Sequence, residues 1–314
     1  MPTDIIVTAP LPPFLYDPLK AGYRCHDYVQ AGDKPGLLAA QGAGIRGLVQ
    51  GGGTVTSTSL LDALPALEII SVFGVGYDGV PVDYCRARGL KVTNTPDVLT
   101  DDVADVAVGL IMMTGRGFVR LNRFVQAGGW LKQGPELTTK LGGRTVGILG
   151  LGRIGKAIAA RVTAMGMQVA YTGRTAQDVP HRFIPDLKAL AAAVDFLVVA
   201  CPGGAATKHI VNAEVLAALG TKGTIVNIAR GSIIDEPALV RALADGTLKA
   251  AGLDVFADEP NIPAALFAMD NVVLLPHVGS ATHATRQAMG DLCKANLDAW
   301  FAGSPLPTLI AELA

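Results

Sequence analysis

The chain has 314 residues, a formal net charge of −1, 50% hydrophobic residues and 17% charged residues. This length is sufficient for about two domains, and a near-neutral charge without a run of basic residues argues against nucleic-acid binding. The longest apolar stretch, around residues 106–113, is too short to span a bilayer, so no membrane segment is expected.

Short apolar segments alternate with helix-like segments along the first hundred residues. They predict strands over the ranges 5–8, 45–50, 68–72 and 91–93. This alternation is typical of a parallel sheet with crossover helices. A long helix is predicted over 101–126 as the connection between domains, because acidic residues crowd its start and arginines lie toward its end.

A second α/β half follows. Its predicted strands cover the ranges 145–149, 168–172, 195–200, 224–228, 250–255 and 272–275. A last helix is predicted over 281–301 and is expected to cross back to the first domain. Two α/β halves of this kind make the cleft between them the expected binding site.

The segment 146–155 reads V-G-I-L-G-L-G-R-I-G and places a G-x-G-x-x-G motif directly after a strand. In a strand–turn–helix setting, Gly150 allows the tight turn and Gly152 lets the backbone approach a pyrophosphate. Gly155 lets the helix pack closely on the strand, and the helix N-terminus favours an anion. The motif therefore predicts a dinucleotide site; the alternative is a plain packing turn, since the chain has 37 glycines.

The end of the second strand in this half bears on the choice of dinucleotide. An NAD site usually has an acidic residue there that binds the ribose 2′-OH. This chain instead reads Thr172-Gly173-Arg174-Thr175. A guanidinium suits a 2′-phosphate, so we expect NADP(H), with NAD(H) as a weaker cofactor. The alternative is that Arg174 is a solvated loop residue and that NAD is also used.

The later strands of this half are each followed by a polar residue: Arg230, Glu259 and His277. Each residue alone is more often structural. After a dinucleotide motif, however, the three fit the reduction of a 2-oxo acid. An arginine pairs with the substrate carboxylate, a histidine gives the carbonyl oxygen a proton, and a carboxylate keeps the imidazolium protonated and oriented.

The chain resembles the D-isomer-specific 2-hydroxyacid dehydrogenases over nearly its whole length. The matching segments are 73–78, 94–105, 150–155, 226–231, 252–260 and 276–282, in the family's order. Segments 96–105 and 274–280 are similar in particular to the NADPH-dependent glyoxylate/hydroxypyruvate and hydroxyphenylpyruvate reductases. The resemblance implies reduction of a small 2-oxo acid to the D-2-hydroxy acid, with a homodimer formed through the cofactor domains.

The resemblance also implies roles for individual residues. Arg230 would bind the substrate carboxylate and carbonyl, His277 would be the acid/base paired with Glu259, and the N–H groups of Val75 and Gly76 would cradle the carboxylate. Asp254 would hold the nicotinamide carboxamide. The remaining expected cofactor contacts are Gly150, Gly152, Arg153, Ile154, Gly155, Gly173, Arg174, Thr175, Thr207, Ile228, Ala229, His277 and Gly279.

At two positions the residue roles of the family do not carry over directly to this chain. The loop that contains Thr207, C-P-G-G-A-A-T over 201–207, differs from the family's usual Thr-Pro-Glu-Thr pattern. Trp130 lies where related reductases send an aromatic residue toward the neighbouring subunit's site, and a buried core tryptophan is the alternative.

The resemblance implies an α/β fold with two Rossmann-like domains that contain parallel sheets. The NAD(P)-binding domain, 99–285, would be inserted into a discontinuous substrate-binding domain, 1–98 and 286–314. The scattered cysteines and histidines indicate reduced thiols and no metal site, and the acidic Asp4 near the start argues against an export signal, so we expect a cytoplasmic protein.

Other functions of this fold remain alternatives. A non-catalytic, nucleotide-sensing corepressor is disfavoured by the complete set of arginine, glutamate and histidine. A phosphoglycerate dehydrogenase is disfavoured because no added basic cluster marks a site for a substrate phosphate. A formate dehydrogenase is disfavoured because that branch is expected to have an amide at the position of Glu259.

Overall fold

The structure of the chain, a computed structural model, describes residues 2–314. It divides into two compact units, Met1–Leu99 with Thr282–Ala314, and Thr100–Ala281. The expected boundaries fall after residues 98 and 285, and the observed ones fall after residues 99 and 281. Each unit contains one parallel sheet with helices, so the predicted α/β class is confirmed.

The first unit has a five-stranded parallel sheet in the order β2-β1-β3-β4-β5. Its strands are β1 Asp4–Val7, β2 Arg24–Asp27, β3 Gly47–Gly51, β4 Ile69–Phe73 and β5 Lys91–Thr93. The helices of this part of the chain are α1 Pro13–Gly22, α2 Lys34–Gln41, α3 Thr58–Asp62 and α4 Val82–Ala87. The four predicted strands are confirmed, with small shifts at their ends, because their apolar residues are buried as a covered parallel sheet requires.

Strand β2 was not predicted from the sequence. Its residues, R-C-H-D, are polar because it is an edge strand and most of its side chains reach solvent. Polar contacts to β1 take the place of apolar burial: His26 Nε2 lies 2.7 Å from Asp4 Oδ1. This hydrogen bond is the main reason why the pKa of Asp4 is lowered.

The second unit has a seven-stranded parallel sheet in the order β12-β11-β10-β9-β6-β7-β8. Its strands are β6 Thr145–Leu149, β7 Gln168–Thr172, β8 Arg182–Phe183, β9 Phe196–Val199, β10 Thr224–Asn227, β11 Ala250–Leu253 and β12 Val272–Leu274. The predicted bounds of β6 and β7 are confirmed to the residue. The chain runs outward from β6 to β8 and then returns to β9 on the other side of β6, which makes the carboxyl ends of β6 and β9 the switch point where such sheets bind ligands.

The prediction of a single helix over 101–126 is wrong. The structure has two helices there, α5 Thr100–Gly115 and α6 Phe118–Gln126. Gly117 separates them in the left-handed conformation with φ 61°, which ends regular helix geometry. The remaining helices of this unit are α7 Arg153–Ala164, α8 Leu187–Ala192, α9 Ala213–Leu219 and α10 Glu236–Ala244.

The last helix, α11 His283–Phe301, belongs to the first unit, as expected for the predicted helix over 281–301. Thr282 caps it, because its side chain accepts a hydrogen bond from Thr285 N at 3.2 Å. Within residues 2–314, no helix combines the length and the apolar character needed to cross a membrane.

Candidate active site

The glycine turn lies between β6 and α7, at the switch point of the larger sheet. Gly150 has φ 97°, and a Cβ there would lie 2.7 Å from the Cα of Cys201, the second residue after β9. A Cβ on Gly155 would lie 2.3 Å from the carbonyl oxygen of Gly150. Both positions therefore require glycine, one for the turn and one for the close approach of helix to strand.

Gly152 is different, since a Cβ there would meet no atom within 4 Å. Packing within the unit therefore does not require a glycine at this position. Gly152 is also the N-cap of α7 and provides no side-chain hydrogen bond to the first N–H groups of the helix. Open space in front of the N-terminus of a 12-residue helix fits the phosphates of a dinucleotide.

The loop after β7 carries Gly173, Arg174 and Thr175, which are all exposed. Among the described residues 2–314, Arg174 has no ion-pair partner, so its guanidinium is available to an anion. The loop is also tied to the glycine turn, because Gln177 Nε2 donates a hydrogen bond to Leu151 O at 2.9 Å. Sequence reasoning missed Gln177, since no pattern links it to Leu151.

The loop after β10 places Arg230. Asn227, which is 1% exposed, accepts a hydrogen bond from Ala229 N at 3.1 Å and donates one to Arg230 O at 2.9 Å. Arg230 Nη1 donates to Ala229 O at 2.8 Å. A Cβ on Gly231 would lie 1.9 Å from the backbone carbon of Phe256, so the glycine after Arg230 allows this loop to contact the loop after β11 directly.

Asp254 follows β11 and is 1% exposed. Its two carboxylate oxygens accept hydrogen bonds from Val278 N and Gly279 N, each at 2.8 Å. Burial raises the pKa of Asp254, although these two N–H groups and the charge of His277 oppose the rise. The first structural role of Asp254 is therefore to hold the loop that carries His277, a role that the sequence did not indicate.

His277 and Glu259, in the loops after β12 and β11, form a hydrogen-bonded pair. His277 Nδ1 lies 2.7 Å from Glu259 Oε2, and Phe256 N donates to Glu259 Oε1 at 3.0 Å. His277 itself has φ 54° and donates its N–H to Asp254 O at 2.9 Å. Nδ1 is bonded to the carboxylate, so Nε2 is the ring nitrogen that takes no part in this pair.

The electrostatics of Glu259 support this pairing. Burial on its own would raise the pKa of Glu259. The hydrogen bonds from His277 and Phe256, together with the charges of His277 and Arg230, outweigh burial and leave the pKa lowered. Glu259 is therefore a stable carboxylate beside the imidazole, and Arg230 is close enough to contribute to its charge state.

In the first unit, Val75 and Gly76 lie in the loop after β4. Asn94 Nδ2 donates to Val75 O at 2.8 Å, and Thr95 N donates to Gly74 O at 2.9 Å. In a trans peptide the N–H points away from the carbonyl of the preceding residue. These two bonds therefore fix the directions of the N–H groups of Gly76 and Val75, which are the two predicted carboxylate donors.

Several predicted residues have plain local roles. Thr207 Oγ1 donates to Pro202 O at 2.7 Å and so stabilises its own loop. Ile228 is buried, and Gly279 contacts Asp254. Trp130 is 66% exposed, so the alternative of a buried core tryptophan is wrong.

Comparisons with known proteins identify the family of the chain. Residues 108–279 match the family model described as D-isomer specific 2-hydroxyacid dehydrogenase, NAD binding domain. The chain is 45% identical over 305 residues to hydroxyphenylpyruvate reductase of Plectranthus scutellarioides, covering 97% of both chains. It is 44% identical over 306 residues to glyoxylate/hydroxypyruvate reductase A of Arabidopsis thaliana, again covering 97% of both.

Solved structures show the same family. The NADPH-dependent glyoxylate/hydroxypyruvate reductase of Sinorhizobium meliloti, in complex with NADP and malonate, superimposes with a TM-score of 0.93 at 44% identity. The match covers 100% of this chain and 98% of that one. The chain therefore belongs to the D-isomer specific 2-hydroxyacid dehydrogenase family.

Proposed function

We propose that this enzyme reduces a small 2-oxo acid to the D-2-hydroxy acid with NADPH. The observation that carries the proposal is the hydrogen bond between His277 Nδ1 and Glu259 Oε2, 2.7 Å long, in a family of oxidoreductases. Glyoxylate, hydroxypyruvate and phenylpyruvates are the proposed substrates, because relatives that cover 97% of the chain are reductases named for such acids.

NADP(H) is the proposed cofactor, and when bound it supplies the hydride that reaches the carbonyl carbon. The residues proposed to hold it are the glycine turn with Arg153 and Ile154, the exposed loop Gly173, Arg174 and Thr175, and Thr207, Ile228, Ala229, Asp254 and Gly279. The open space at Gly152 and the unpaired Arg174 support this set. NAD(H) is the proposed weaker cofactor.

Each of the proposed site residues has a separate role in the reaction. Arg230 binds the carboxylate and the carbonyl of the substrate, and a guanidinium does this with two parallel hydrogen bonds. His277 gives the proton from Nε2 to the carbonyl oxygen as that oxygen gains charge. Glu259 stabilises the imidazolium before transfer and orients its ring. In the first unit, Val75 and Gly76 are the residues proposed to offer backbone N–H groups to a carboxylate.

A steady-state panel tests this function. Reduction of glyoxylate, hydroxypyruvate, phenylpyruvate and 4-hydroxyphenylpyruvate is measured with NADPH and with NADH. We expect turnover of at least one acid and a higher kcat/KM with NADPH. A protein that binds NADPH but reduces none of these acids would instead fit a non-catalytic nucleotide sensor.

We also propose a homodimer formed through the cofactor unit. Helix α6 buries none of its residues within the chain, and Val125 on it is 51% exposed. The segment after it exposes Trp130, Leu131 (92%) and Leu137 (99%). Exposed apolar residues so close in sequence are typical of an interface. Light scattering of Leu131→Asp, compared with the wild-type chain, tests it: the variant is expected to be monomeric.

A cytoplasmic location is the last part of the proposal. All four cysteines are free, and burial raises the pKa of Cys85 and of Cys201 to about 11. Protonated, unpaired thiols fit a reducing compartment.

A further inference from the structure

Gln50, near the end of β3, is a buried polar residue whose function the proposed chemistry does not explain. It is 0% exposed, and Gln50 Nε2 donates to Thr54 O at 3.0 Å. Gln50 Oε1 accepts a hydrogen bond from the Thr56 hydroxyl. The amide thus closes the glycine-rich residues 51–56, here called the Gln50 loop, back onto the strand end.

The Gln50 loop contacts residues 74–79, here called the cradle loop because Val75 and Gly76 belong to it. Gly52 N donates at 3.1 Å to the carbonyl of Phe73, the last residue of β4, and Thr56 N donates at 2.9 Å to the carbonyl of Gly79 in the cradle loop. A Cβ on Gly74 would lie only 2.9 Å from Gly52 Cα. Because backbone touches backbone without a side chain between, a shift of one loop must move the other.

The cradle loop is therefore held from two sides. On one side, Asn94 and Thr95 bind the carbonyls of the two peptides whose N–H groups are the proposed carboxylate donors. On the other side, the Gln50 loop packs against the cradle loop at Gly74 and bonds to it at Gly79. Both contacts lie within the first unit.

We infer that Gln50, through Thr56, is a positioning residue for the substrate carboxylate; the inference rests on the proposed reduction of a 2-oxo acid. Gln50 touches no reacting atom. Its two hydrogen bonds keep the Gln50 loop in the conformation that contacts the cradle loop. The carboxylate is bound equally in the ground state and the transition state, so its mispositioning changes KM more than kcat.

The test compares Thr56→Val, Thr56→Ser and Gln50→Leu with the wild-type chain. Thr56→Val keeps shape but removes the hydroxyl that Gln50 accepts from, so KM for glyoxylate is expected to rise roughly tenfold, with kcat within about threefold of wild type. Thr56→Ser keeps the hydroxyl and is expected to have the same KM as the wild-type chain. Gln50→Leu, which leaves Thr54 O and the Thr56 hydroxyl without their partner, is expected to raise KM at least as much.

Two controls make the result specific. Ser71→Ala removes a buried hydroxyl from β4, where Ser71 Oγ donates to Cys293 O at 2.9 Å, and is expected to lower Tm without raising KM. The Kd of NADPH is expected to stay at the wild-type value in every variant, because the Gln50 loop lies in the unit without the glycine turn.

The outcomes separate the inference from the function. If wild type reduces 2-oxo acids but Thr56→Val keeps the wild-type KM, Gln50 is merely structural and the inference is overturned. Equal KM increases in Thr56→Val and Thr56→Ser overturn it too, even if Gln50→Leu does not fold. If wild type reduces none of the acids, the proposed function fails, and the inference fails with it.

Discussion

Glu259 holds His277 in one orientation and is itself held from its other oxygen. The Nδ1–Oε2 distance is 2.7 Å, and Phe256 N lies 3.0 Å from Oε1, so the carboxylate cannot rotate away without losing a bond. The two residues are 18 positions apart in sequence and follow different strands. The pair therefore depends on the loops after β11 and β12, which Asp254 joins.

The charge of Glu259 should appear in the pH dependence of reduction. In Glu259→Gln the amide keeps a hydrogen-bonding group near Nδ1 but removes the charge that favours the imidazolium. The alkaline limb of the kcat/KM profile is expected to move to lower pH, because the contact with His277 that lowers the pKa of Glu259 favours the charged pair. Glu236→Gln, which alters a carboxylate that accepts from Ala257 N, is the matched control. An unmoved limb in Glu259→Gln would exclude the charge as the cause.

The same pair makes a prediction for stability. The pKa of Glu259 is lowered from an ordinary value of 4.5, so its carboxylate stabilises the folded chain above that value. This contribution is lost as the pH falls through the lowered pKa. The Tm advantage of wild type over Glu259→Gln is therefore expected at about pH 6 and should shrink below about pH 4. An advantage that grows as the pH falls below 4 would have the wrong sign.

The three motif glycines should separate stability from binding. Gly155→Ala would place a Cβ 2.3 Å from Gly150 O, and Gly150→Ala would meet Cys201 at a φ of 97°, so both should lower Tm by several degrees or prevent folding. Gly152→Ala meets no atom and is expected to keep nearly the wild-type Tm while weakening NADPH about tenfold or more, because the methyl group fills the space proposed for phosphate. Thermal unfolding and fluorescence titration measure the two effects. Wild-type NADPH affinity in Gly152→Ala would place the phosphates elsewhere.

Arg174 is expected to discriminate between the two cofactors. Arg174→Ala should weaken NADPH by about 10- to 100-fold and leave NADH nearly unchanged, because only NADPH carries the 2′-phosphate. Arg182→Ala, at an exposed arginine on β8, is the matched control and should affect neither cofactor. An equal loss of affinity for both cofactors in Arg174→Ala would show that the guanidinium does not bind the 2′-phosphate.

Much of this organisation can be read from the sequence because local patterns carry it. The apolar segments 145–149 and 168–172 correspond to β6 and β7, and the glycine motif lies at the switch point. Features that depend on contacts between distant residues could not be read. Examples are the polar edge strand β2, the link from Gln177 to Leu151, and the hold of Asp254 on the His277 loop.

The break between α5 and α6 has a local signal in the sequence, the glycine at position 117. The order of charged residues along the segment favours a single helix and hides that signal. Acidic residues near the start of the segment and arginines toward its end favour one helix, whereas Gly117 adopts φ 61° and ends it. For Gln50, in contrast, the sequence has no local signal of its contacts. Its place next to three glycines suggests only an open loop, but its amide binds two residues further along the chain.

In the proposed reaction His277 supplies the proton. The value of kcat for glyoxylate reduction by His277→Asn with saturating NADPH measures this contribution. Asparagine tolerates the left-handed backbone at φ 54°, and His209→Asn, at φ 52°, is a control with the same backbone demand. We predict a loss of about 10²- to 10⁴-fold in His277→Asn, with little change in His209→Asn and with NADPH still bound. Turnover of His277→Asn within a few-fold of wild type would show that another group supplies the proton.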